Sequence, residues 1–524
     1  MTKPLTDRIE HVVVLMLENR SFDNVLGGLY PELSKKGLYR GLLGTETNPL
    51  DPRNPAASSV TVFQGPATSS IWIMPYPDPG ELYSDMVQQI FGTTSVPSGV
   101  TPPMSGFAWN YFGQSWSVSG PGWPSVPPVP GNIMQYYSGD AMPVTTCLAK
   151  QYAVCDIWFA AAPVQTFANR VLTHCGTPSR QPKPNSNKSR IDNPDYPITL
   201  PYVPPVDDPT IFELLDDAYP KGKAPKCSDF FDPSVHLNWK VYYHDVPASV
   251  LCKYVWDHWC VDDFYGGNVF HFHEDLGSIT NFEYDIQNGL LPKYSFIEPY
   301  YSDELPGSIV NSNHPGGAGV DWDDENGLSL PPPINVMAGE RLLHQVYDIL
   351  LKHPKVFNKT LLIVTYDEHG GLFDHVPPPS AVSPFKPAVE NFNYDRYGVR
   401  VPVILINPSI KPGTIYPLRK AHAPVPLPPF DHTSILSTLV AQFGLTGSLS
   451  PRVDKAPKLD GLIPASDASH PRPPCPTPAP AAVTPSPPRP PLTTVPRRAR
   501  TLAGALGPLY LRVQASKRGS RPRP

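Results

Sequence analysis

The chain contains no C-x-x-C pair, no apolar run long enough to span a membrane, and no surplus of basic residues. Each absence removes a class of function. The seven cysteines, Cys147, Cys155, Cys175, Cys227, Cys252, Cys260 and Cys475, lack zinc-finger or redox-motif spacing, and an odd number cannot pair fully within the chain. A Cys252–Cys260 disulfide fits the spacing, but ordinary buried thiols are the preferred reading, because free cysteine packs as a small hydrophobe. The apolar stretch His11–Leu17 is too short for a transmembrane helix and has no cleavage site after it. The sequence as given is therefore expected to be soluble and, by default, cytoplasmic, with secretion left open. A formal charge of −5 offers neither a nucleic-acid surface nor a polybasic membrane patch. The expected partner is a small molecule.

What is present is enough apolar material for a large core: 524 residues, 40% of them hydrophobic and 17% charged. Proline, at 71 residues, falls into two populations. From residue 466 to 524 the chain is rich in Pro, Ala and Arg and nearly free of acidic residues, a composition unable to bury a core. The expected division is a catalytic domain over 1–465 and a disordered tail over 466–524. Prolines such as Pro121 to Pro130 and Pro377 to Pro379 sit among aromatics and glycines, and shape ordered loops instead. No internal repeat is present.

Short apolar runs at His11–Leu17, Trp239–Tyr243, Thr360–Tyr366 and Val401–Ile406 read as buried parallel strands, since strands covered on both faces lose the alternating pattern. Between them Ala338–Leu351 reads as a helix, with Leu342, Leu343, Val346, Ile349 and Leu350 on one face. Strands alternating with helices predict an α/β sheet. In such sheets ligands bind beyond the carboxyl ends of the strands.

Two of those ends are acidic. Glu18-Asn19-Arg20-Ser21-Phe22-Asp23 follows the first run, and Asp367-Glu368-His369-Gly370-Gly371 follows Tyr366, continuing to Asp374-His375. Carboxylates and an amide oxygen facing each other suit one hard or borderline divalent cation, which would offset their repulsion. Such a cation neutralises phosphate charge and lowers the pKa of a bound hydroxyl, so a nucleophile is the next requirement. Thr166, just ahead of a helical stretch, is the candidate, with a plain helix cap as its other reading. His314, His369, His375 and His432 lie in loop-like surroundings and could supply an acid or a ligand. Asp431-His432-Thr433-Ser434 equally fits a helix cap.

Taken together these residues resemble a known family, the phosphoesterases that include bacterial and plant non-specific phospholipases C and a group of bacterial acid phosphatases. The resemblance rests on Glu18 to Asp23, Asp78-Pro79-Gly80, Gln89, Phe91-Gly92, Ser105-Gly106-Phe107, Cys155 to Phe159 and Thr166-x-x-Asn169-Arg170. It continues in order through His314-Pro315, Gly339-Glu340, Thr365 to Gly371, Asp374-His375, Gly398 to Pro402 and Asp431 to Ser434. It implies an alkaline-phosphatase-like α/β fold, a mostly parallel sheet flanked by helices with long Pro- and aromatic-rich loops. It also implies a metal held by Glu18, Asn19, Thr166, Asp367 and Glu368, and a phospho-threonine formed on Thr166. His314 is implied as proton donor to the leaving oxygen, His375 as a further catalytic residue, and Asn169 as a phosphoryl contact.

Three features depart from the family. Glu81 follows Asp-Pro-Gly where many phospholipases C carry histidine, which alters the substrate side of the site. An acidic insert with Asp321, Asp323, Asp324 and Glu325 separates His314 from Gly339, and the basic proline-rich tail is extra. Aromatics Trp72, Tyr76, Trp109, Tyr111, Phe112, Trp116 and Trp123 could wall an amphiphile's path or simply pack the core. The expected activity is phospholipase C-like hydrolysis of phosphodiesters or a phospholipid, with possible peripheral membrane contact. The rivals are acid phosphatase activity and an inactive binding protein of the same fold. No C-x-P-x-R or S-x-P-x-R motif supports a sulfatase.

Overall fold

The computed structural model describes residues 4–66, 75, 78–114, 129–179, 190–193, 206–223, 236–244, 247–258, 269–271, 281–301, 310–315, 321–323, 327–329, 335–464, 470 and 472–479. Its centre is a sheet of eight strands: β1 His11–Leu17, β2 Ala153–Cys155, β3 Trp239–Tyr243, β4 Val269–His271, β5 Tyr294–Ile297, β6 Thr360–Tyr366, β7 Val403–Ile406 and β8 Thr414–Tyr416. Their spatial order is β8-β2-β7-β6-β1-β5-β3-β4. Neighbours run parallel except at β7, which is antiparallel to both β6 and β2.

The α/β class and the mostly parallel sheet are as the apolar runs predict. Strand β1 shows why: Val12 through Leu17 are at most 1% exposed, and each such aliphatic contributes roughly 1.5–3 kcal/mol on burial. The fourth predicted run is the exception. It begins at Val403 and runs antiparallel, because the chain leaves β6 through the long loop 367–402 and returns without the crossover that a parallel neighbour needs.

Helices α1 Phe22–Leu26, α2 Tyr83–Phe91, α3 Pro143–Gln151, α4 Thr166–Cys175, α5 Val336–Lys352 and α6 His432–Phe443 place the functional segments. All ten residues of α4 are buried, so it is a core helix without a solvent face. Asn335 caps α5 by accepting from Met337 N–H, and the predicted stripe of Leu342, Leu343, Val346, Ile349 and Leu350 faces the core. The Glu340 carboxylate of α5 accepts from Val144 N–H at 2.6 Å and Thr145 N–H at 3.1 Å, capping α3. Asp431 and Ser434 form a reciprocal capping box at the start of α6, with Asp431 N–H donating to Ser434 Oγ at 3.1 Å, as the cap reading of that motif expects.

The packed chain reaches past the boundary expected at 465. His470 N–H donates to Pro408 O at 3.0 Å, Arg472 lies over the Tyr152 ring, and Cys475 is disulfide-bonded to Cys147. Free thiols, the preferred reading, fail for this pair because a separation of 328 residues leaves no local spacing signal. Cys155, Cys175 and Cys252 are free and buried. Cys252 is a free thiol 3.5 Å from Cys175, and Cys260, the partner the spacing suggests, lies outside the described residues with Cys227 and 480–524. Part of the acidic insert forms a two-stranded antiparallel hairpin, Asp321–Asp323 with Gly327–Ser329, while Asp324 and Glu325 lie outside the described residues. Among the described residues, no helix is long and apolar enough to cross a membrane.

Candidate active site

The register of β1 on β6 pairs Leu17 with Tyr366, so the residues that follow emerge side by side. Asp367 N–H extends the ladder to Leu17 O at 3.2 Å. Asn19 then turns into the left-handed region, φ 57°, a conformation asparagine tolerates better than most residues. That turn directs its backbone N–H to Asp367 Oδ1 at 3.1 Å and its Nδ2 to Glu368 Oε1 at 3.0 Å. The double glycine of the second loop has a steric cause. A Cβ on Gly370 would strike Asn19 O, one on Gly371 would lie 2.7 Å from Gly80 O, and both have positive φ.

Thr166 is the first residue of α4, and Gln165, not Thr166, occupies the cap position. Its hydroxyl is thus not used as a cap, and it lies 3.4 Å from Asn19 Oδ1. The helix end is less open to an anion than expected, because Phe167 N–H donates to Asn193 Oδ1 at 3.0 Å. The Asn169 amide bonds to the backbone just ahead of Thr166. Its amide spans the preceding loop, donating to Val164 O at 2.6 Å and Ala162 O at 3.2 Å, and accepting from Ala162 N–H at 3.1 Å. It shapes the turn that presents Thr166.

His314 arrives from a third loop. Arg20 Nε donates to Asn313 O at 2.7 Å, Asn313 Nδ2 donates to Tyr366 Oη at 2.9 Å, and Gly339 leaves room where a Cβ would strike the Asn313 amide. The imidazole Nε2 then lies 3.0 Å from Asn19 Nδ2 and 3.4 Å from Glu81 Oε1. Glu81 Oε1 itself accepts from Asn19 Nδ2 at 2.6 Å. Glu81, placed on the substrate side by motif alone, is therefore in contact with the amide at the centre of the carboxylate cluster. Gln89 supports its loop, donating to Gly80 O at 2.7 Å, while His369 Nε2–H donates to Gln89 Oε1 at 2.9 Å.

Burial governs the charges. It lifts Glu18 to about 7, with the Asp367 charge adding to it and His314 opposing. It raises Glu368 well above the carboxylate range, helped by Glu81 and Asp367. Asp367 is raised by the same desolvation against the pull of Arg170. Burial opposes protonation of His314, yet Glu81, Asp78 and Glu18 hold its pKa well above the ordinary value. His369, without such partners, is pushed down to about 3 by burial.

Do these groups fit a cation? Glu18 Oε1 is buried without a hydrogen-bond partner, an expensive state for a carboxylate oxygen in a dry site. The donors are carboxylates, an amide and a hydroxyl, the set a hard divalent ion prefers. They fit, and the site could hold a metal ion. Arg170, which motif reading left without a role, braces the set. It donates to Asp367 Oδ2 at 3.0 Å, Tyr301 Oη at 2.6 Å and Leu17 O at 3.2 Å.

His375 bonds to a different set of residues. Its Nδ1 lies 2.6 Å from Asp23 Oδ2, Asp23 Oδ1 accepts from Arg400 at 3.0 Å, and Arg400 Nε donates to Asp374 Oδ1 at 2.9 Å. The expected catalytic histidine thus packs into a network that ties loops 18–23, 374–376 and 398–402 together. His432 likewise donates from Nε2 to the backbone O of Asp367 at 2.7 Å and so fixes the loop. Of the aromatics, Tyr111 is core, Phe112 is exposed and Trp109 lies under Arg53. Trp72, Tyr76, Trp116 and Trp123 lie outside the described residues.

The His375 assignment has a measurable consequence. Asp23 raises His375 against the opposing effect of burial, and His375 with Arg400 lowers Asp23 despite burial. The histidine's contribution is complete below its unfolded value of about 6.5 and fades as pH rises through its folded value. Asp23's contribution is present above about 3.9 and fades as pH falls through its lowered value. His375→Ala is expected to cost about 2 kcal/mol, the worth of a charge-assisted hydrogen bond, between these limits and less at alkaline pH. Urea midpoints across pH check this; a loss of turnover with unchanged midpoints would return His375 to the catalytic set.

A hydroxyl presented beside paired strand-end carboxylates and an imidazole is the equipment of a hydrolase acting on phosphoester bonds. The chain belongs to the Phosphoesterase family, whose model matches residues 9–446. Non-specific phospholipase C1 of Arabidopsis thaliana is 30% identical over 442 residues, covering 83% of this chain and 67% of that protein. Phospholipase C B of Mycobacterium tuberculosis is 26% identical over 476 residues, 84% of this chain and 74% of that protein. A solved protein of the alkaline phosphatase superfamily from Vibrio parahaemolyticus aligns over 60% of this chain and 64% of its own, at 13% identity and a TM-score of 0.31. A likeness that loose carries no weight for the site.

Proposed function

We propose that the chain is a metal-dependent phosphoesterase of phospholipase C type, acting on phosphodiesters through a phospho-threonine intermediate. The observation that carries this reading is the hydroxyl of Thr166 lying 3.4 Å from Asn19 Oδ1 at the paired ends of β1 and β6. One divalent cation would be held by Glu18, Asn19, Thr166, Asp367 and Glu368, where it would neutralise phosphoryl charge and favour the ionised hydroxyl. Thr166 Oγ1 attacks phosphorus in line, and the bond to the leaving oxygen breaks. His314, through Nε2–H, delivers the proton that the leaving oxygen needs. Water then attacks the same phosphorus, releases the phosphomonoester and restores the hydroxyl. Asn169 acts on this chemistry only by shaping the turn before Thr166.

A diester is favoured over a monoester on electrostatic grounds. Glu81 accepts from Asn19, one of the proposed cation ligands, so its carboxylate would face a phosphoryl group bound there, and a singly charged diester would suffer less repulsion from it than a doubly charged monoester. The relatives are named phospholipases C, which favours a phospholipid substrate. The test is hydrolysis of nitrophenyl phosphate, nitrophenylphosphorylcholine and phosphatidylcholine vesicles, with and without chelator. Expected are a higher kcat/KM for the diesters and loss of all turnover on chelation. Preference for the monoester would establish the acid-phosphatase alternative, and no turnover of any substrate by metal-loaded protein would favour a binding protein.

A further inference from the structure

At 87% and 71%, Leu418 and Leu427 are the two most exposed large apolar side chains among the described residues. Single exposed leucines are ordinary on a protein surface. These two share one loop, residues 417–429, which leads from the end of β8 toward α6.

The register of the sheet puts that loop on the active-site side. Ile415 pairs with Val154, Val154 with Ile404, Ile404 with Val364 and Val364 with Leu15, so Ile415 and Leu15 stand level across the sheet. Three residues further along come Leu418 from one strand and Glu18, a proposed cation ligand, from the other. Four strand spacings of about 4.8 Å separate β8 from β1, so the loop leaves the sheet roughly 19 Å to one side of the site.

Its composition and anchoring suit a lipid surface. Residues 417–429 include no acidic side chain and five prolines. Proline has no N–H, so Pro426 and Pro428, on either side of Leu427, bring no amide donor that would lose its water in a headgroup layer. The loop is held from behind: Arg419 Nη1 donates to Asp156 Oδ1 at 2.6 Å, His422 N–H donates to Gly37 O at 2.9 Å, and Arg40 donates to Ala423 O. Little ordering is left for insertion to cost. The same contacts bring segment 30–44 alongside, with Leu38 partly exposed and Lys36 exposed. Glu32, the acidic residue of that segment, is paired with Lys35 at 2.8 Å. Lys420, exposed, follows Leu418 by two residues. Leucines that enter the acyl boundary, flanked by lysines that meet anionic headgroups, complement a bilayer surface.

We propose that loop 417–429, with Leu418 and Leu427 as its inserting side chains, docks the chain on a phospholipid bilayer with the carboxyl edge of the sheet toward the lipid. The proposal rests on the reading of the substrate as a phospholipid and extends it to the interface. A phospholipid stays in its bilayer, so docking raises turnover of vesicle substrate and does nothing for a soluble diester.

The test is cosedimentation of the full chain, stripped with chelator so that no lipid is consumed, with sucrose-loaded vesicles of phosphatidylcholine and phosphatidylglycerol. Leu418→Ser combined with Leu427→Ser is expected to weaken partitioning about 100-fold, roughly tenfold for each leucine no longer transferred to lipid. Leu418→Phe combined with Leu427→Phe should bind at least as well as wild type. With metal restored, the double serine variant should lose hydrolysis of vesicle phosphatidylcholine and keep the wild-type kcat/KM on nitrophenylphosphorylcholine, with an unchanged circular dichroism spectrum. Wild type that does not sediment with vesicles, serine and wild-type chains that sediment alike, or loss of soluble-diester turnover in step with vesicle turnover overturns the docking surface, while turnover of the diester by wild type keeps the function reading. Sedimentation that the serine variant abolishes, from a chain that hydrolyses no diester even when metal-loaded, overturns the function reading and keeps the surface.

Discussion

Thr166→Ala is expected to lower kcat/KM by about 10⁴-fold or more, roughly 5.5 kcal/mol of transition-state stabilisation, while leaving the protein folded. The size follows from the role: a lost nucleophile is not replaced by its neighbours, and what survives is substrate binding and charge neutralisation. The fold should persist because Gln165 occupies the cap position of α4, and alanine is at least as good a helix former as threonine. Thr166→Ser keeps an attacking hydroxyl and should retain far more activity than the alanine variant. Steady-state kinetics beside thermal melting separates this from a structural role, which would lower the melting temperature and treat both replacements alike.

Stripping the metal should be equally severe, with a stability effect of opposite sign. Turnover is expected to vanish with chelator, and Glu18→Gln should cost about 10³-fold at limiting metal, partly restored by excess metal. In the metal-free protein Glu18 is a liability. Burial lifts it from an ordinary 4.5 to about 7, so over that window the folded state binds more protons than the unfolded one. Stability of the metal-free wild type therefore falls as pH rises through the window, whereas metal-free Glu18→Gln lacks this term and should melt higher at neutral pH. Melting with and without metal across pH reads both signs. If Glu18→Gln melts below wild type in both states, Glu18 is a structural group and not a ligand.

Much of this arrangement was legible in the sequence because it depends on local pattern. Three of the four apolar runs are strands with the predicted bounds, and the acidic pairs sit at the ends of β1 and β6 because a buried strand ends where a charged side chain interrupts it. What was illegible depends on long-range geometry. Val403–Ile406 runs antiparallel because of how loop 367–402 returns, which no property of the run itself records. Cys147 and Cys475 pair across the chain, and the residues leading to Cys475 read as tail by composition alone. His375 had the right neighbours in sequence but its ring meets Asp23, and Asn169 lies one helical turn from Thr166 with its amide committed to the preceding loop. Arg170 does carry a sequence signal, since an arginine in an otherwise buried helix needs carboxylates to meet it. Glu81 was visible as a departure, but only the fold brings it to Asn19 and His314.

The most direct test of the central claim is to quench metal-loaded protein with acid during turnover of nitrophenylphosphorylcholine and map the adduct by peptide mass spectrometry. The account predicts a phosphorylcholine group on Thr166, absent from the chelated protein. An adduct on another residue, or an unmodified Thr166 in a protein whose Thr166→Ala variant turns over at the wild-type rate, would contradict it.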